Sequence, residues 1–164
     1  MSLESVKTYL STFGFEGKIL VERETTATVE DAAKALGVEC GRIAKTMAFH
    51  GNEAGAAIMV VAAGDVKIAN GPFKQRFGLK AHMLSPEDCE TITGHRPGGV
   101  CPFDLDGRRV EVWLDDSLKR FSTVFPACGS NDSCIELTLR QLEESSRCKG
   151  WVNVCKMMNE KQGT

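Results

Sequence analysis

The run AAIMVVAA (56–63) constrains this chain more than any other stretch. Eight consecutive residues carry no polar side chain, so the segment has no face to offer water. A short apolar run bounded by Gly55 and Gly64 fits a strand covered on both faces. Such a strand needs partners on both edges and a packed layer on each side. The rest of the chain must therefore supply several more strands and the helices that cover them.

Both are legible. RIAKTMAF (42–49), RVEVWL (109–114), STVFPA (122–127) and CIEL (134–137) read as strands, as do KILVER (18–23), KAHML (80–84) and WVNVC (151–155). RVEVWL alternates, so one of its faces should meet water. Ser2 can cap a helix carrying Leu3, Val6, Leu10 and Phe13, with Gly14 to end it. Thr28 can cap VEDAAKAL, with Asp31 at its third position and Gly37 just past its end. Ser85 followed by Pro86 starts another helix, which Gly94 closes. Thr138 and Gln141 fit a capping box opening a last, long helix. There is no internal repeat, linker or low-complexity segment. The expected architecture is a single α/β domain over residues 1–164, with a mixed sheet.

A chain of 164 residues, 42% of them hydrophobic, is long enough to bury one substantial core. Its formal net charge of −2 rules out a broad electrostatic footprint for nucleic acid. Two local basic clusters remain: Lys67, Lys74, Arg76 and Lys80, and then Arg108, Arg109, Lys119 and Arg120. MSLESVKTYL lacks the basic-then-apolar layout of a secretory signal, and AGAAIMVVAAG (54–64) is too short to span a bilayer. A soluble, cytoplasmic protein with no membrane contact is expected. The seven cysteines form no C-x-x-C pair, and the three histidines form no H-x₃₋₅-H pair. Free thiols are expected, with no metal and no cofactor.

Lys45 is the first candidate for chemistry. Counting by twos, it shares a strand face with Ile43, Met47 and Phe49. A lysine on an apolar face either snorkels or stands as a cation in a pocket wall, suited to an anionic or ester ligand. The second candidate is the loop HRPGGVCPFDL (95–105). Gly98 and Gly99 allow close backbone approach to a ligand, and Pro102 stiffens the exit. That loop admits two readings. Cys101 could be a nucleophile with His95 as its base. Alternatively, the loop could be a backbone device that holds a water or an oxyanion while the thiol stands aside. A plain surface turn is the bland alternative to both. Asp115, at the end of RVEVWL, could orient a lysine or a ligand amine, or simply cap a turn. The small residues of ACGSN (127–131) could shape a pocket or make a tight turn. His50 and His82 read as structural.

The order and spacing of these segments resemble the YbaK/prolyl-tRNA synthetase-associated editing domains. TVEDAAKALGVECGRIAKTMAF (28–49) resembles the family's early helix and the strand that bears its lysine, which falls on Lys45. VVAAGDVKI (60–68), ITGHRPGGVCPFDL (92–105) with its Gly-x-x-x-Pro loop from Gly98 to Pro102, VWLDDSL (112–118) and ACGSNDSCIELTLRQL (127–142) resemble the segments that follow. The match covers residues 25–156. It implies a mixed, barrel-like sheet with flanking helices. It implies an aminoacyl-tRNA deacylase with no metal and no covalent nucleophile, acting at the acceptor end of tRNA, typically proline tRNA. Prolyl-tRNA synthetase is the implied partner protein.

On that resemblance Lys45 would hold the terminal adenosine or a nearby phosphate and place the ester. Gly98 and Gly99 would meet the water or oxyanion, and Asp115 would organise the substrate amine or pocket wall. Ala127 and Gly129 would limit the acyl pocket. Thr46, His95 and Pro102, in or beside the same motifs, complete the expected substrate-binding set. Cys101 is not required in the family, and Cys128 in the small-residue loop departs from the family's pattern. Two rivals stand beside this reading: a non-catalytic tRNA- or synthetase-binding module of the same fold, and a Cys101-dependent hydrolase of small molecules.

Overall fold

In the computed structural model, which describes residues 2–21 and 28–158, the apolar run becomes the strand β3, Ala57–Ala63, buried at every position. In chain order the elements before it are α1 (Leu3–Ser11), β1 (Ile19–Val21), α2 (Val29–Leu36) and β2 (Ile43–His50). After it come β4 (Val66–Ile68), α3 (Asn70–Phe77), α4 (Pro86–Thr93), β5 (Val110–Asp115), β6 (Thr123–Pro126), β7 (Ser133–Ile135), β8 (Leu137–Thr138), α5 (Leu139–Ser146), β9 (Gly150–Val152) and β10 (Cys155–Met157). Six of the strands form one curled half-barrel sheet in the order β8-β6-β2-β3-β5-β9. The two-stranded ribbons β1-β7 and β4-β10 complete the described strands. β3 pairs antiparallel with β2 over seven residues and parallel with β5 over five.

Alternation along β3 sends its side chains into two cores. Met59 and Val61 join Val6, Leu10, Phe103, Ile135 and Leu142. Ile58 and Val60 join Phe49 and Phe73 on α3. Each fully buried side chain of this size is worth about 1.5–3 kcal/mol, so β3 anchors both layers.

The helix starts follow the capping chemistry. Ser2 and Ser5 close a capping box at α1, while the hydroxyls of Thr28 and Ser85 accept the amides of Asp31 and Asp88. Several boundaries differ from the sequence expectation. α1 ends at Ser11, so Phe13 lies in the turn that Gly14 closes with φ of 79°. α5 is eight residues rather than long, because Arg147 enters the left-handed region at φ of 52°.

KAHML is not a regular strand. Only Met83 bridges to Phe49, while His82 O accepts from His50 N and Leu84 N donates to Ala48 O. The segment runs along the free edge of β2 between Gly78 and Pro86, too confined to form a ladder. WVNVC divides into β9, which joins the main sheet, and β10, which leaves to pair with β4. CIEL divides at Glu136 between β7 and β8. KILVER contributes β1, and its residues 22 and 23 lie outside the described residues. α3 has no side-chain cap, and its NGPFKQRF reads as a turn; Pro72 fits because the first helical turn needs no donor there.

Candidate active site

The parallel pairing of β6 with β2 covers only Ile43 and Ala44. Beyond that point the edge of β2 is open until the irregular segment at His82–Leu84 takes over. A cavity of about 340 Å³ occupies this gap. Its floor is the small-residue face of β2, Ala44, Thr46 and Ala48, joined by Ile43 and Lys45. Thr28, which caps α2, and Val29 and Ala32 within it form one wall with Phe125, Ala127, Ser133 and Cys134. Met83, Leu84, Pro86 and Cys89 form another, and Pro97, Gly98 and Val100 close the third side. Gly64 fits tightly beneath the α2 wall: a Cβ there would collide with Cys40 O and stand 2.7 Å from Val29 Cγ1.

The lining is mostly apolar, and few of its polar groups are uncommitted. Thr28 Oγ1 caps α2, and Ser133 Oγ is held by Ser130 Oγ at 2.6 Å. Thr46 Oγ1 is buried without a partner. A hydroxyl desolvated in this way is penalised until a ligand or water reaches it. Lys45 Nζ hydrogen-bonds to Val66 O, with Met158 Sδ 3.8 Å away. Burial holds its pKa below the ordinary lysine value, opposed by the nearby Cys155, Asp65 and Glu30. Lys45 and Thr46 are strand neighbours that project to opposite faces, so the partly desolvated ammonium at Val66 O and the unpartnered hydroxyl are two separate polar groups, either of which can meet a carbonyl or an anionic oxygen. Among the described residues no three His, Cys, Asp or Glu side chains come together as a metal ion would need.

The residues expected from the sequence divide into three groups. Lys45, Thr46, Gly98 and Ala127 line the cavity. Gly99 and Gly129 stand behind its wall: a Cβ on Gly99 would sit 2.8 Å from Gly129 C, and one on Gly129 would sit 2.8 Å from Ser2 O. Their small size lets two loops and the start of α1 close together. The Gly99 amide already donates to Arg96 O at 3.0 Å, which completes a turn.

His95, Pro102 and Asp115 lie outside the lining. His95 is fully buried, with Nε2 2.9 Å from Phe103 O, so Nε2 carries the proton. Burial keeps its pKa below the usual value. Asp115 is 1% exposed, and its two carboxylate oxygens accept the backbone amides of Ser117 and Val154, each at 2.9 Å. It takes the capping role, at the start of the turn 116–120, and not that of a pocket wall or an amine contact, because both oxygens are taken up in the framework.

Met83, Leu84, Cys89 and Cys134 were not anticipated. The signal for the cavity was the A-x-T-x-A alternation at residues 44, 46 and 48, whose short side chains leave a strand face unfilled.

The geometry also decides between the two readings of Cys101. Its Sγ lies 3.6 Å from His95 Nε2, but the thiol is fully buried, outside the cavity, and its pKa is pushed up to about 12 by burial. A protonated, inaccessible thiol beside a ring nitrogen that carries its own proton is not an activated nucleophile. Replacing Cys101 with Ser should leave hydrolysis within about twofold and cost about 1 kcal/mol in urea unfolding. Alkylating native protein should leave Cys101 unmodified on peptide mapping; rapid loss of activity traced to Cys101 would reverse this assignment. The raised thiol also predicts a pH limb. Its stabilising contribution is complete below the unfolded thiol value of about 9 and is lost as the pH rises toward 12.

The model of the aminoacyl-tRNA editing domain matches residues 23–144. The chain belongs to the aminoacyl-tRNA editing domain family. Proteins of this family act on aminoacyl-tRNA. YwhH of Bacillus subtilis is 51% identical over 156 residues, covering 95% of this chain and 98% of that protein. EbsC of Enterococcus faecalis, described as a candidate Cys-tRNA(Pro)/Cys-tRNA(Cys) deacylase, is 28% identical over 70% of this chain and 69% of its own length. A crystal structure described as a candidate trans-editing enzyme for prolyl-tRNA synthetase shares the fold with a TM-score of 0.82 at 24% identity, over 94% of this chain and 96% of that one. No described helix of this editing-family chain is long and apolar enough to cross a membrane.

Proposed function

We propose that this chain is a cytoplasmic aminoacyl-tRNA deacylase that removes a small, wrongly attached amino acid from tRNA, with proline tRNA as its substrate. The observation that carries the reading is the cavity at the open edge of β2, where Lys45 and the unpartnered Thr46 hydroxyl meet an apolar wall. The Ala44, Ala48, Ala127 and Val100 side chains suit a short, uncharged acyl group. The names of the relative from Enterococcus faecalis and of the crystallised structural neighbour point to proline tRNA and its synthetase.

In this reading the aminoacyl ester enters with its side chain against the alanines. Lys45 turns from Val66 O toward the terminal nucleotide and ester, and Thr46 Oγ1 donates to an ester oxygen. The Gly98 backbone faces the attacking water from the opposite wall. Water adds to the carbonyl carbon, the bond from carbon to the ribose oxygen breaks, and the ribose oxygen takes a proton. Free amino acid and uncharged tRNA leave. Positioning supplies much of the rate, because an aminoacyl ester is already an activated acyl group. Discrimination is by fit, with small side chains admitted and the correctly attached proline disfavoured.

The test is release of amino acid from proline tRNA charged separately with alanine, cysteine, serine, threonine and proline. Release of one small amino acid at least tenfold faster than proline is expected. If no ester is cleaved on this tRNA or on others, and the tRNA still binds, the chain is a binding module of the same fold.

A further inference from the structure

β4 and β10 form a two-stranded antiparallel ribbon outside the main sheet, and Lys67 faces Lys156 directly across it. Like charges at directly opposed positions on one face destabilise a strand pair. The neighbours in register, Val66 with Met157 and Ile68 with Cys155, pack into the cores, so strand alternation turns both lysines outward. Neither lysine takes part in an ion pair among the described residues. The chain holds 22 acidic and 20 basic residues, so the pairing is not for want of carboxylates. The adjacent acid, Asp65, is engaged by Arg120 through two bonds of 2.9 and 2.6 Å.

Of the other basic candidates, Lys74 and Lys80 form no ion pair among the described residues and face no like charge across a strand pair, while Arg120 is held by Asp65 and four more are occupied. Arg76 stacks over Trp113 at 4.5 Å. Arg109 pairs with Glu53 and Lys119 with Asp116, while Arg108 donates to the carbonyls of Thr91 and Ile92. The opposed lysines are thus a repulsive pair left without an internal counter-charge. They sit one residue along β4 from the carbonyl that Lys45 holds.

We propose that Lys67 and Lys156 grip the phosphate backbone of the RNA whose 3′ end enters the cavity. This rests on the deacylase reading for the identity of the RNA, and it supplies what a net charge of −2 otherwise lacks: a local, salt-sensitive hold on a polyanion. Binding an RNA strand also relieves the repulsion across the ribbon.

The experiment compares wild type, Lys67→Glu/Lys156→Glu, and a control double reversal on the α1 side, Lys7→Glu/Lys18→Glu. Binding of uncharged proline tRNA is followed by fluorescence anisotropy across a salt series. The ribbon variant should bind at least tenfold more weakly at low salt. Its slope of log K against log salt should be shallower by about 1.5, from two phosphate contacts of about 0.7–0.9 each. On charged tRNA the defect should appear in KM, with kcat and the hydrolysis of an aminoacyl-adenosine ester within threefold of wild type. An unchanged salt slope, or an equal loss in the control, overturns the proposal. So does displacement of tRNA by millimolar inorganic phosphate at constant ionic strength, which would mark a free-anion site. If wild type cleaves no aminoacyl-tRNA but the ribbon variant shows the altered slope, the deacylase reading falls and the RNA contact stands.

Discussion

Replacing Lys45 with Ala should lower aminoacyl-tRNA hydrolysis by at least a hundredfold while the melting temperature stays level or rises slightly. The two halves of that expectation have separate causes. Among the described residues Lys45 is the only cationic one that lines the cavity, and a positioned charge in a partly desolvated site contributes about 3–4 kcal/mol to a transition state that develops negative oxygen. For the fold, the same burial is a liability. Desolvation holds the Lys45 pKa below its unfolded value, so the folded state binds this proton less tightly than the unfolded chain does. The linked stability is lower at neutral pH and rises only as the pH passes through the folded and then the unfolded lysine values. Removing the ammonium removes that penalty along with one bond to Val66 O. The decisive comparison is single-turnover deacylation beside thermal unfolding for wild type and Lys45→Ala. A fully active Lys45→Ala protein would end the assignment. Loss of activity together with a large drop in melting temperature would make the lysine a structural element instead.

This division between a stable scaffold and a penalised site also explains what could be read from the sequence. β3 announced itself because eight apolar residues admit few other fates. The helix starts were legible because Ser2, Thr28, Ser85 and Thr138 act through local hydrogen bonds that the sequence contains in full. The strand pattern and the small-residue loops singled out Lys45, Gly98 and Ala127, the resemblance added Thr46, and these four line one cavity.

The rest was hidden for physical reasons. Gly99 and Gly129 look like ligand-facing glycines in sequence, yet each is small because another loop crosses it, and only tertiary contact carries that information. Met83 and Leu84 reach the cavity because KAHML fails to become a ladder, and Cys89 reaches it from α4. α3 was missed because Asn70, Gly71 and Pro72 spell a turn, while the burial of Phe73 decides for a helix.

Asp115, for which the sequence left open a substrate contact or a cap, takes the capping role, and it yields the second large expected effect. Asp115→Asn should destabilise the protein by about 2–4 kcal/mol and leave hydrolysis per folded molecule within threefold. Both native oxygens accept from backbone amides, Ser117 N and Val154 N, in a site that excludes water. Asparagine offers one acceptor oxygen and one amino group, so whichever way it turns, an N–H group faces an N–H group. A bond from a backbone amide to a charged acceptor is worth about 1.5–3 kcal/mol, and the buried donor left behind adds its own desolvation penalty.

The damage should also have a direction. Val154 stands at the corner between β9 and β10, and its carbonyl receives the amide of Ala69 at 2.8 Å, just before α3. Freeing that corner loosens the β4-β10 ribbon, which carries Lys67 and Lys156 and ends beside Lys45. Hydrogen exchange should therefore accelerate first at Val154, Ala69 and the β10 amides, before the β2-β3 ladder responds. A lowered urea midpoint with this exchange pattern and preserved turnover would fix Asp115 as the pin of the corner. A hundredfold fall in kcat at unchanged stability would return it to the substrate's side of the cavity.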